Sequence, residues 1–130
     1  MEKHWLRHYP ADVAPEVPHG GPPTLPALIE DAARRWPERV AYRCQGRTLS
    51  YAELDEHSRA FAAWLLAQGL VRGERVAMLL PNVLQLPVTV AAVLRAGLVL
   101  VPVDPQLTPR ELAQRLKDAG ARAGVLQALR

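Results

Sequence analysis

Apolar positions recur along this chain in two periods, and the change from one to the other marks out the elements. Leu25, Leu28, Ile29, Ala32, Ala33 and Trp36 fall at i, i+3, i+4, i+7, i+8 and i+11, a continuous stripe on one helix face. Thr24 is a good N-cap, Arg34 and Arg35 suit the negative end of the helix dipole, and Pro37 stops the helix. VAYRCQGRTLSY (40–51) then sets two short runs around Gln45-Gly46, which predicts a hairpin with Gly46 supplying positive φ. Ser50 and Glu53 form a capping box, with Leu49 and Leu54 placed as its hydrophobic staple. The helix that follows buries Leu54, Phe61, Ala62 and Leu65, with Ser58 completing the stripe, and Gly69 ends it.

Beyond Gly69 the pattern becomes strand, helix, strand, helix, strand. RVAMLL (75–80) and LVLVPV (98–103) are apolar runs of strand length, and AGVLQ (123–127) is the last strand. NVLQLPVTVAAVLRAG (82–97) predicts a helix with Asn82 and Gln85 as a capping pair, Gly97 as its stop and a local kink at Pro87. It is apolar almost all round, so both its faces should be buried. The final helix runs from Thr108 to about Ala119 and stops at Gly120. This order implies a parallel sheet with right-handed crossovers. Such sheets are covered on both faces, and this chain has few helices for that task. It therefore reads as a piece of something larger, or as a chain that pairs with another copy.

Residues 1–23 carry neither period. Pro10, Pro15, Pro18, Pro22 and Pro23, with Gly20 and Gly21, predict an extended Pro-rich arm that Trp5, Leu6 and Tyr9 anchor on a neighbouring surface. The division is an arm over 1–23 and a partial α/β subdomain over 24–130.

Composition changes this picture little. The chain has 130 residues, 49% hydrophobic and 22% charged, with a net charge of +3. That charge is small and dispersed, which argues against nucleic acid. Cys44 is the only cysteine, so neither an internal disulfide nor a thiolate metal site is expected, and a half-buried thiol suits a reducing compartment. MEKHWLRHYP lacks the apolar region of a secretory signal. Val76 to Leu94 holds no charge, but Pro81, Asn82, Pro87 and Gly97 divide it into strand and helix lengths, so no membrane span is expected.

Chemistry-bearing motifs are mostly absent. There is no G-x-x-x-x-G-K-[ST] and no G-x-G-x-x-G. Neither Ser50 nor Ser58 sits in a nucleophile elbow. His4 and His8 have helical spacing but lack a third ligand, His19 lies in the arm, and His57 sits among charges on a helix surface. Glu30-Asp31 and Asp55-Glu56 are adjacent pairs that diverge on their helices and read as solvated faces. Trp36 and Trp64 have helical homes where packing is expected.

VPVDPQLTPREL (101–112) concentrates prolines and carboxylates. Pro102 lies near the end of its strand, Pro105 holds Asp104 extended, and Pro109 occupies the first helical position. Thr108 and Glu111 form a second capping box with Leu107 and Leu112 as staple, and Glu111 precedes Arg115 by one turn. Asp104 follows the carboxyl end of a parallel strand, where α/β ligand sites gather, but an Asx turn is its expected role. No catalytic, cofactor-binding or metal-ligating residue is assigned.

Five stretches carry a resemblance: KHWLRHYPADV (3–13), LSYAELDEHSRAFAAWL (49–65), GERVAMLLPNVLQLPV (73–88), AAVLRAGLVLVPVDPQLTPREL (91–112) and KDAGARAGV (117–125). In this order and spacing they resemble the N-terminal region of bacterial long-chain fatty-acid–CoA ligases, members of the adenylate-forming, AMP-dependent synthetases. The resemblance implies a two-step parent reaction in which a fatty acid and ATP give an acyl-adenylate and CoA then displaces AMP, with Mg²⁺ neutralising phosphate charge. It implies that ATP, Mg²⁺ and CoA are bound by motifs downstream of this segment and none by the segment itself. The fold it implies is the opening part of the large N-terminal domain, packed on later segments of the same ligase chain. It also implies a cytoplasmic protein that touches the inner membrane face peripherally, since the substrate is greasy. The alternatives are a stand-alone interaction or acyl-binding module, a homodimer assembled through the Trp5 arm and sheet edge, or a fragment of a ligase for another carboxylic acid.

Overall fold

The computed structural model describes residues 3–16, 20–22 and 24–126. Pro18, His19, Pro23 and Gln127 lie outside the described residues. The arm differs from expectation at its start, where His4–His8 forms a short 3-10 helix closed by the Tyr9 amide on the Leu6 carbonyl. Trp5 and Tyr9 stay exposed, so the described arm is not anchored through them.

Helix α1 spans Leu25–Arg35, and the Thr24 hydroxyl accepts the Ala27 amide as its cap. The stripe forms as a helix but is not buried: Leu25 is 60% and Leu28 50% exposed, and Trp36, now the C-cap, is exposed as well. Periodicity sets which residues share a face; it does not say what covers that face. Strands β1 (Val40–Cys44) and β2 (Arg47–Ser50) pair antiparallel. Gln45 and Gly46 both have positive φ, 48° and 75°, the signature of a type I′ turn.

Helix α2 (Tyr51–Ala67) starts on the complete Ser50–Glu53 capping box and buries Leu54, Ser58, Ala62 and Leu65. Leu49 and Leu54 share one buried cluster with Ala91, as the staple requires. Trp64 does not pack inward. It is 55% exposed and stacks on Phe61 with centroids 5.8 Å apart.

Strands β3 (Arg75–Leu79), β4 (Val99–Pro102) and β5 (Ala121–Leu126) form a parallel sheet in the order β4-β3-β5. Val76 of β3 aligns with Leu100 and Ala123. Val76 and Ala77 point to opposite faces of the sheet, and both are fully buried. On the Val76 side the core holds Ala62 and Leu65 of α2 and Ala92 and Val93 of the next helix. Burial of a side chain such as Leu65 contributes about 1.5–3 kcal/mol.

Helix α3 spans Gln85–Arg95, three residues later than its sequence pattern suggested. Leu84 occupies the N-cap position in helical conformation and no side chain caps it, so Asn82 and Gln85 are not a capping pair. The later start also changes Pro87, which falls within the first turn. There its missing N–H had no intrahelical partner to lose, and the reason for a kink disappears. Every residue of α3 except Gln85 is at least half-buried, as its all-round apolar sequence predicts. Helix α4 (Pro109–Ala119) begins on the Thr108–Glu111 capping box and ends at Gly120 with φ 60°. Its Leu112 and Leu116 are half-buried. No helix among the described residues is long and apolar enough to cross a membrane.

Candidate functional site

The principal buried charge cluster centres on Arg95, at the last position of α3. Its side chain is 7% exposed. Nη1 donates to Glu30 Oε1 of α1 at 2.7 Å, Nε to Ser58 Oγ of α2 at 3.1 Å, and Nη2 to Asp55 Oδ1. Ser58 in turn donates to the Asp55 carbonyl at 3.2 Å, and Asp55 also accepts from Arg59 Nε at 2.8 Å. The carboxylate partner raises the Arg59 pKa above its ordinary value, chiefly through that hydrogen bond. Every polar group here is committed to a protein partner, so the cluster fixes three helices and leaves nothing aimed at a ligand. Glu30 and Asp55 are therefore not merely solvated. The sequence held a signal for this: Arg95 is the lone charge in a long apolar stretch, and a charge buried there needs partners.

The remaining sequence candidates resolve as follows. Asp104 Oδ1 accepts the Gln106 amide at 2.8 Å, the expected Asx turn. Glu111 Oε2 accepts from the Thr108 amide and hydroxyl at 2.9 and 2.6 Å, and these bonds hold its carboxyl below the ordinary value. Glu53 is lowered in the same way by the Ser50 amide and hydroxyl. The half-buried Cys44 thiol donates to the Asn82 carbonyl at 3.2 Å and ties the hairpin to the β3–α3 loop. A cleft beside it is lined by Cys44, Arg47, Glu53 and His57, but Glu53 is consumed by its cap and His57 is exposed. His4 Nδ1 lies 3.0 Å from Arg7 Nη2 rather than in a ligand set with His8.

No group of three His, Cys, Asp or Glu among the described residues is arranged to hold a metal ion. One apolar hollow of about 390 Å³ lies at the carboxyl ends of β3 and β5, lined by Phe61, Leu80, Val83, Val88, Val125 and Leu126. That is the switch point of the sheet, where strand order reverses.

An open three-stranded parallel sheet with crossover helices and a separate hairpin defines an incomplete α/β subdomain. The family described as AMP-binding enzyme matches residues 29–129. The chain belongs to that family. It is 45% identical over 127 residues to the long-chain-fatty-acid–CoA ligase of Yersinia pestis, covering 97% of this chain and 23% of that protein. The Bacillus subtilis long-chain-fatty-acid–CoA ligase is 36% identical over 118 residues, covering 91% and 21%. Among solved structures, the Klebsiella oxytoca NpsA N-terminal subdomain in complex with 3-hydroxyanthranilyl-AMSN superposes with a TM-score of 0.76 at 30% identity, covering 81% of this chain and 27% of that one. The chain thus spans under a quarter of the curated relatives' length and matches their N-terminal part.

Proposed function

We propose that this segment is the N-terminal frame of an ATP-dependent long-chain fatty-acid–CoA ligase and carries none of its catalytic groups. The observation that carries this reading is the 45% identity to a long-chain fatty-acid ligase over 97% of the chain. The parent reaction joins a fatty acid to ATP with release of pyrophosphate, then passes the acyl group from AMP to CoA. The described residues contribute scaffold to it: two capping boxes, an Asx turn and the Arg95 cluster, each with its polar groups already paired. The parent acts in the cytoplasm and meets membranes only at their surface. The test is fatty-acid-dependent ATP–pyrophosphate exchange with the purified 130-residue chain. No exchange is expected, and measurable exchange overturns the reading.

A second reading, a ligase for another carboxylic acid, draws support from the NpsA neighbour, whose bound analogue is aromatic. Exchange by the full-length protein with palmitate but not with 3-hydroxyanthranilate separates the two.

A further inference from the structure

We infer that the open edge of strand β1, with the turn that joins it to α1, is where the protein docks on an anionic lipid surface. The edge is read from charge and exposure; the choice of a lipid occupant rests on the fatty-acid reading above.

Arginines are dispersed along the sequence, but the carboxylates that offset them are not dispersed in the same way. Residues 31–47 hold Arg34, Arg35, Arg39, Arg43 and Arg47 against Asp31 and Glu38, which gives +3, the whole net charge of the chain. All five arginines are exposed. Arg34 and Arg35 share Asp31, at 3.3 and 2.9 Å. Arg39, Arg43 and Arg47 make no ion pair among the described residues.

Exposed apolar side chains lie between these charges. The Arg39 amide donates to the Trp36 carbonyl at 3.1 Å, and the Ala52 amide to the Pro37 carbonyl at 3.0 Å, so the turn is compact and tied to the start of α2. Trp36 stays 43% exposed there, followed by Val40 at 50% and Tyr42 at 47%. On α1, Leu28 and Arg35 lie seven residues apart and share a face, and Leu28 is exposed as well.

Strand β1 has β2 as its single partner in a two-stranded sheet, so its other edge is open. Successive side chains leave a strand on opposite faces. Tyr42 aligns with the buried Leu49, and Arg43, aligned with Thr48, points to the other side. A planar surface met along the open edge is within reach of both sets, because an arginine stem is long enough to carry its guanidinium sideways.

Two chemistries therefore meet on one edge. Guanidinium groups bind phosphate oxygens through paired N–H donors. Trp and Tyr settle at the level of lipid headgroups, where an apolar ring body and a polar tip are both accommodated. Arginines alone would serve to blunt a sheet edge against further pairing, but that role calls for no exposed Trp, Val and Tyr beside them. A nucleic-acid backbone would satisfy the arginines and leave Leu28 and Val40 without a partner. A fatty-acid substrate partitions into bilayers, so a ligase that draws on it is well placed lying on one.

The test is co-sedimentation of the full-length protein with vesicles of phosphatidylcholine alone or of equimolar phosphatidylcholine and phosphatidylglycerol. Binding should be at least about ten-fold tighter to the mixed vesicles and should weaken as salt is raised. Arg39→Gln with Arg43→Gln and Arg47→Gln should weaken it at least about ten-fold. Arg110→Gln with Arg115→Gln and Lys117→Gln, the same loss of charge on α4, should change it less than about two-fold. Trp36→Ser with Tyr42→Ser, all arginines kept, should also weaken it, by about five-fold or more. The arginine variants alter only exposed side chains, and matched thermal midpoints check that they fold. Equal losses for the two basic sets, or a loss for neither, overturn the inference. Binding that ignores Trp36 and Tyr42 and is equally tight to duplex DNA overturns the lipid occupant. Pyrophosphate exchange with palmitate dispersed in neutral detergent reports on the function separately. Docking through the arginines without exchange sinks the ligase reading and leaves the edge standing; exchange with docking indifferent to the arginines does the reverse.

Discussion

Arg95 Nη1 lies 2.7 Å from Glu30 Oε1, joining residues 65 positions apart in the chain. Helix α1 has no fully buried residue of its own, so this ion pair joins it to α2 and α3 together with half-buried side chains such as Ile29. Arg95→Met keeps the stem but leaves Glu30 and Ser58 without that donor and Asp55 with Arg59 alone. Removing one partner of a buried pair costs about 3–5 kcal/mol; Glu30 and Asp55 are partly solvated, so about 2–3 kcal/mol is expected. Glu30→Gln, at the exposed end, should cost under about 1 kcal/mol. Urea unfolding of the isolated chain measures both, and equal midpoints for the two variants would contradict this ranking.

Much of the fold was legible because it is locally encoded. The Gln45-Gly46 turn, both capping boxes and the stops at Gly69, Gly97 and Gly120 depend on residues within a few positions of one another. What sequence could not supply was the partner of each face. The α1 stripe read as one continuous apolar face, yet Leu25 and Leu28 on it are exposed, since periodicity is silent on what lies opposite. The start of α3 was misplaced because Asn82 is a good cap by type, whereas the helix begins at Gln85 with Leu84 at the N-cap position and no side-chain cap. Glu30 and Asp55 read as solvated because their partner sits on a different helix. Of the carboxylates singled out in the sequence, Glu30, Asp31, Glu53, Asp55, Asp104 and Glu111 have structural partners, and Glu56 is exposed as expected.

The hairpin turn offers a stabilising change. Gln45 holds φ at 48°, a conformation that costs an ordinary side chain but suits asparagine. Gln45→Asn should raise stability by about 0.5 kcal/mol. Thermal unfolding checks it, and a lowered midpoint would argue against a type I′ turn.

Asp104 and Gln106 provide a test of the loop. The Asp104 carboxylate accepts one amide bond, at 2.8 Å, and an asparagine carbonyl can accept the same bond. Asp104→Asn should change stability by less than about 0.5 kcal/mol and leave a full-length ligase within a few-fold of its original turnover. Collapse of kcat with an intact fold would show that Asp104 takes part in the chemistry.

The two capping carboxylates should make stability depend on pH. Glu53 and Glu111 are both held below the ordinary value of 4.5, Glu53 first by the Ser50 amide and Glu111 first by the Thr108 hydroxyl. A depressed folded-state pKa means that the unfolded chain binds its proton more readily. The stabilisation is therefore fully present above the ordinary carboxylate value and is lost as pH falls through the lowered folded-state values. In urea titrations the midpoint should be flat from neutral pH to just above 4.5 and then decline. Glu53→Gln with Glu111→Gln should make that decline shallower, because a glutamine side chain keeps an acceptor for the N-cap amide but has no proton to take up. A double variant with the same slope as the parent would mean that other carboxylates govern the acid limb.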